Sequence, residues 1–217
     1  MKSAIAKERR VDLVQLTEHL RQMQGDARRL VAIAGAPGSG KSTFTERLCA
    51  SLNRVTPGIA CILAMDGFHF DDRVLEARGH RSRKGAPHTF DIGGLAAMID
   101  RLRADDGMDI AVPVFDRSIE IARAGAAIVP ASTRLILVEG NYLLLDDPAW
   151  ASFRPRFEVS VMLDVPRDTL TKRLIARWRE HGFDDAAVRS KLDYNDLINI
   201  EIVLSHSATP DFRVDNV

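Results

Sequence analysis

Residues 35–42 read GAPGSGKS, two bracketing glycines followed by a lysine and a hydroxyl residue at the spacing G-x-x-x-x-G-K-S. That combination suits a phosphate chain. Glycines let the backbone open so that successive N–H groups converge on phosphate oxygens, and a helix starting at the loop's end adds its partial positive charge. Gly35, Ala36, Pro37, Gly38, Ser39, Gly40, Lys41, Ser42 and Thr43 are the expected nucleotide-binding residues. Lys41 would bridge the β- and γ-phosphates, Ser42 would hold Mg²⁺ through its hydroxyl, and Thr43 adds a second hydroxyl in the first helical turn. The loop alone does not separate a kinase from an ATPase, a GTPase or a nucleotide-dependent switch.

Two carboxylates follow apolar runs. Asp66 lies in MDGFHF after residues 59–65, and Glu139 begins EGNY after residues 135–138. Open α/β sheets build their sites at the carboxyl ends of strands, so both would emerge at one edge beside the phosphate loop. Asp66 could accept a hydroxyl proton during phosphoryl transfer or act through water on Mg²⁺. Glu139, in the Walker-B-like position, is the expected Mg²⁺ ligand, direct or through water. Each also has a plainer reading, as a turn aspartate before glycine and a strand-end glutamate. Arg173 and Arg177 are spaced i, i+4 on a predicted helix and share a face, where they could stabilise charge on a transferring phosphoryl group.

The elements that must position these groups are legible as periodicities. Apolar runs at 30–34, 59–65, 135–138 and 159–163 show little polar alternation, as in strands of a parallel sheet buried on both faces. Helical patterns at 43–52, 95–102 and 167–178 alternate with them, and 184–204 adds one or two helices. An amphipathic helix is expected over 1–25, with Val11, Leu13, Val14, Leu16, Leu20 and Met23 apolar and Glu8, Arg9, Arg10 and Glu18 polar. Residues 71–130, richer in Gly, Pro, Arg and His, read as an insertion over the site, with a small hairpin from 110–114 and 126–129. One 217-residue domain, 46% hydrophobic, is expected.

Lys plus Arg and Asp plus Glu number 30 each, so no global field recruits nucleic acid or an anionic membrane. No apolar run approaches a membrane span, the N-terminus is too charged for a signal peptide, and Cys49 and Cys61 lack metal spacing; a cytoplasmic protein is expected. A GTPase would need an Asn-Lys-x-Asp segment, and the sequence has none.

The pieces GAPGSGKST, MDGFHF, RKGAPHTFD, PVFDRS and VEGNYLLLD, in that order, resemble the superfamily of phosphoribulokinase, uridine kinase and type I pantothenate kinase. VEGNYLLLD followed by Asp147, Pro148 and Trp150 is similar to a bacterial branch provisionally labelled fructose transport system kinase. The resemblance runs from about Leu30 to Val214 and implies a three-layer α/β/α P-loop fold with a parallel central sheet. It implies an ATP- and Mg²⁺-dependent kinase acting on a hydroxyl of a small metabolite, with Asp66 as the family's catalytic acidic side chain. It also implies a lid over 166–183, acceptor-pocket walls at 85–91 and 113–117, and relatives that commonly form dimers or tetramers. On the acceptor side Asp91 and Asp116 could accept hydroxyl hydrogen bonds, Arg117, His69 and His88 could donate, and Phe68 or Phe70 could pack on an apolar face; Tyr142 is a further acceptor-side candidate. The competing expectation is a non-catalytic nucleotide-binding regulator of a sugar transport system, and the retained Asp66 argues against it.

Overall fold

A computed structural model of the chain describes residues 8–23 and 25–216. Six strands, β1 (Arg9–Arg10), β2 (Arg29–Ala34), β3 (Ala60–Ala64), β6 (Leu135–Gly140), β7 (Val159–Asp164) and β8 (Phe212–Asp215), form one sheet in the order β1-β8-β7-β2-β6-β3. Every pairing in it is parallel. Every residue of β6, and all of β2 after Arg29, is buried, which is why these strands read as unbroken apolar runs.

Two hydrophobic clusters occupy the two faces of the sheet. On one, α1 (Leu13–Gln22) and α2 (Lys41–Val55) bring Leu16, Leu20, Phe44, Leu48 and Leu52 against Val31, Ile33, Leu137 and Val161. The other face is covered by α4 (Ile92–Ala104), α5 (Arg167–Glu180) and α7 (Leu197–His206) through Leu95, Ile99, Leu102, Leu170, Leu174, Ile200 and Val203. Each such buried side chain contributes on the order of 2 kcal/mol, so the three layers are held mainly by this burial. The expected α/β/α architecture is what the chain forms.

The N-terminus departs from expectation. Of the helix expected over 1–25, residues 1–7 and 24 lie outside the described residues, Arg9 and Arg10 form an edge strand paired with Phe212 and Arg213, and the helix occupies Leu13–Gln22. The Arg10 guanidinium spans Asp164 and Asp215, and Arg9 lies over the Phe212 ring, so partners distant in sequence overrode a local helical pattern. Asp12 then starts α1 with a reciprocal capping box to Gln15. Val14, expected on the apolar stripe, is 75% exposed; Leu16 and Leu20 carry the burial.

The middle segment divides in two. Its short helix α3 (Asp72–Ala77), two 3₁₀ turns and the antiparallel hairpin β4 (Ile110–Asp116) and β5 (Ile121–Val129) lie outside the main sheet, whereas α4 is a core helix. After α5 come α6 (Asp185–Lys191), a π-helical turn (Leu192–Asp196) and α7. No helix among the described residues is long and apolar enough to cross a membrane.

Candidate active site

The phosphate loop joins β2 to α2. Gly38 and Gly40 sit at φ +82° and +76°, conformations that favour glycine, and Gly40 caps α2 from there. At Gly35 a Cβ would stand 2.5 Å from Ser39 Oγ and 3.3 Å from Leu163 Cβ, so a side chain there would force the loop's neighbours to shift. A Cβ on Gly38 would meet the Leu170 carbonyl at 3.0 Å, which places α5 directly on the loop. The first half of the segment expected as a lid, 166–183, is thus packed core, with Leu170 and Leu174 buried. Arg173 lies on the same side. Its guanidinium donates to the Asn216 carbonyl at 3.1 Å and approaches the Gly38 and Ser39 carbonyls at 3.5 Å, while Asn216 Nδ2 donates to Ser39 O at 2.7 Å. Arg173 therefore braces the loop's carbonyl side, where expectation had it reaching for a phosphoryl group.

Beside the loop, strand register delivers Glu139. It lies opposite Ile33 of β2 and Ala64 of β3, and is 6% exposed. Ser42 Oγ donates to Glu139 Oε1 at 3.1 Å, and Glu139 Oε2 is buried without a partner. Burial pushes the Glu139 pKa up, and the Lys41 ammonium pulls it back. A buried carboxylate oxygen left unpaired next to a serine hydroxyl and a lysine fits a hard cation and its waters. Among the described residues no group of three or more His, Cys, Asp and Glu could hold a metal ion, so Mg²⁺ here would take most of its ligands from phosphate and water.

Asp66 leaves β3 in a 3₁₀ turn, Met65–Phe68, over which β4 passes so closely that a Cβ on Gly67 would meet the Pro113 carbonyl at 2.7 Å. Arg117, just beyond β4, donates to Asp66 Oδ2 at 3.0 Å. His69 Nε2 stands 3.9 Å from Asp66 Oδ1, and the ring is stacked on Phe90 at 4.0 Å with Phe115 at its edge. Burial lowers the His69 pKa to about 4, so at neutral pH an uncharged imidazole adjoins Asp66. Arg177 is half-buried over Trp178 and, among the described residues, makes no ion pair. Its pKa is lowered by burial first and by Arg117 next, and raised by Asp196 and Asp66, so it shares a field with the Asp66–Arg117 pair. A carboxylate paired with Arg117 and adjoined by a neutral histidine can receive a hydroxyl, with Arg177 adding positive charge to the same field.

Other expected acceptor-side groups are engaged elsewhere. The Asp91 carboxylate caps α4 by accepting from Gly94 N at 2.9 Å, and Asp116 accepts from Ser118 in the following turn and from Arg123 of β5. Phe68 is 8% exposed and belongs to the core. Tyr142 is fully buried and its hydroxyl donates to the Gly85 carbonyl at 2.6 Å. His88 contacts His80 and lines a cavity of about 410 Å³ with Ile92, Trp150 and His206. Sequence reading missed Asn195, Asp196, Asn199 and Asn216. Asp196 and Asn199 had a usable signal, polar residues at i, i+3 inside an apolar helical run, and they are 7% and 2% exposed.

The family described as methylmalonyl Co-A mutase-associated GTPase MeaB matches residues 3–68, under half of the chain and ending in the Asp66 turn. Longer likenesses point elsewhere. A Schizosaccharomyces pombe protein provisionally named a uridine kinase is 30% identical over 91% of this chain and 85% of its own. Escherichia coli YggC, described as uncharacterized, is 32% identical over 94% and 84%. The crystal structure of a protein from Silicibacter sp. TM1040, provisionally named a fructose transport system kinase, superposes with a TM-score of 0.87 at 39% identity, covering 94% of this chain and 98% of that one. With a parallel six-stranded sheet, a phosphate loop and relatives that extend to pantothenate kinases, the chain belongs to the P-loop kinase superfamily of phosphoribulokinase, uridine kinase and type I pantothenate kinase.

Proposed function

We propose that the protein transfers the γ-phosphoryl group of Mg·ATP to a hydroxyl of a small metabolite, in the cytoplasm where ATP is supplied. The observation that carries this reading is the row of three strand ends: β2 presents Lys41 and Ser42, β6 presents Glu139 with its unpaired oxygen, and β3 presents Asp66. Phosphate cradle, cation position and acceptor base thus stand side by side in the order phosphoryl transfer needs. Mg²⁺, when bound, would neutralise charge on the β- and γ-oxygens. Lys41 holds the same oxygens, Asp66 orients the acceptor hydroxyl and takes its proton, and Arg177 balances the transferring group. Arg117 keeps Asp66 aligned.

Among acceptors, a sugar, a nucleoside and a pantothenate-like alcohol all carry the required hydroxyl. The name of the Silicibacter relative favours the sugar. A panel of these three classes, scored for ADP release and for phosphorylated product by mass, tests the reading. Product from one class supports it; nucleotide binding with no product from any class would favour the regulator.

The cation site makes a separate prediction. Glu139→Gln keeps the size and an acceptor for Ser42 but removes the charge, so the Mg²⁺ concentration for half-maximal turnover should rise by about 10-fold or more. An unchanged Mg²⁺ titration would remove Glu139 from the cation site.

A further inference from the structure

Between α6 and α7 the helix widens into the π-helical turn Leu192–Asp196. Such turns are rare inside helices and recur at functional sites, because they redirect side chains at a cost in hydrogen-bond geometry. Here three consecutive residues point to two distant parts of the molecule. The Tyr194 carbonyl accepts from Arg83, and Asn195 Nδ2 donates to the Lys84 carbonyl at 2.9 Å. The Asp196 carboxylate turns the other way and accepts from Trp178 Nε1 at 2.6 Å. Asn199, one turn on, ties the arrangement together, its Nδ2 donating to Asn195 Oδ1 at 3.1 Å and its own Oδ1 accepting from Arg83 at 3.3 Å.

The two ends of this network lie on two sides of the candidate site. On one side Lys84 leads into Gly85, at φ +98°, whose N–H donates to Thr89 Oγ1; the same loop runs to Phe90, on which His69 stacks beside Asp66. On the other, the Lys191 ammonium lies 4.4 Å and the Arg177 guanidinium 5.4 Å from the Trp178 ring centroid. Relaxing the π turn to α-helical register would rotate α7 against α6 by about 100°, one residue's turn. Asn195 and Asp196 could not then keep both sets of partners.

We infer that the π turn is a positioning element that couples the loop at 83–89 to Arg177, with Asn195 holding the loop and Asp196 holding Trp178, so that ordering either side orders the other. This rests on the proposed function, which puts Asp66 and Arg177 at one acceptor site; the loop reaches Asp66 through Phe90 and His69. Asn195 and Asp196 act as positioning residues, through the Lys84 carbonyl and Trp178.

Amide hydrogen exchange tests the coupling without an identified acceptor. Asn195→Asp keeps the shape and the oxygen but removes the donor to Lys84. It should speed exchange by about fivefold, the equivalent of one net hydrogen bond, in peptides over 83–89 and equally in peptides over 176–183. Trp178→Phe, which keeps a ring for the two cations but loses its N–H, should produce the same pair of changes from the opposite end and carries the test if Asn195→Asp fails to fold. Asp196→Asn still offers Trp178 an oxygen and should stay near the parent. Changes confined to the mutated side, in Asn195→Asp or in Trp178→Phe, would overturn the coupling. Mg·AMP-PNP is added in a parallel arm, where it should protect residues 35–43 in all variants. Absence of that protection in the parent protein would count against the kinase reading and leave the coupling result standing.

Discussion

Lys41→Ala is expected to fold as the parent does and to lose phosphoryl transfer by about 10³-fold or more. Lys41 opens α2 at the phosphate loop, is only half-buried and belongs to neither core cluster, so truncating it removes charge without opening a cavity. Its stability should therefore stay within about 0.5 kcal/mol of the parent. Lys41→Arg should rescue little, because a planar guanidinium cannot replace a compact ammonium in a loop drawn tight around Gly35 and Gly38. The loss has a second component. Lys41 is the strongest influence holding the buried Glu139 carboxyl down, and without it that pKa, already raised by burial, rises further. A carboxyl that ionises at higher pH offers less anionic ligand at neutral pH, so residual Lys41→Ala activity should increase with pH more steeply than the parent's. Thermal unfolding together with turnover on the acceptor found by the panel checks both parts. A folded Lys41→Ala protein with full activity would remove the phosphate loop from the chemistry.

The parallel sheet was legible because its strands are buried on both faces, which leaves continuous apolar runs such as 30–34 and 135–138. The phosphate loop was legible because its geometry needs glycine at fixed positions, and φ values of +82° at Gly38 and +76° at Gly40 explain why. What stayed hidden depends on partners far away in sequence. Nothing local marks Arg9 and Arg10 as a strand; they become one only when Phe212 and Arg213 arrive beside them. Arg173 and Arg177 share a helical face by spacing, yet Asn216 draws Arg173 onto the loop's carbonyl side, while Arg177 lies over the Trp178 ring. Tyr142 and Asp91 have hydroxyl-binding chemistry, and only the fold shows that Gly85 and the start of α4 already use it.

Asp66→Asn should separate chemistry from nucleotide binding. Asp66 leaves β3, two strands away from the phosphate loop, with β6 between them, so its loss should leave Mg·ATP affinity within about twofold. The amide keeps the side chain's size and can still accept from Arg117, but it cannot take a proton, and losing a general base typically costs about 10²-fold to 10⁴-fold in rate. Two effects pull the result in opposite directions. The phosphoryl-transfer transition state is loose, so much of the acceptor proton leaves late, which favours the low end of that range. Arg117 loses its charged partner, and its guanidinium, 52% exposed, becomes free to swing away from the acceptor, which adds a positioning loss. The ion pair itself is too exposed to supply more than about 1 kcal/mol, so a loss beyond about 10-fold must come from the missing base. Arg117→Lys serves as the control: it keeps a charge near Asp66 and should cost less than Asp66→Asn if the carboxylate is the working group. Calorimetric titration with Mg·ATP and turnover on the identified acceptor decide the matter together. Parent-like turnover in Asp66→Asn would show that the acceptor lies elsewhere, and a loss confined to Mg·ATP affinity would make Asp66 a cation residue alongside Glu139.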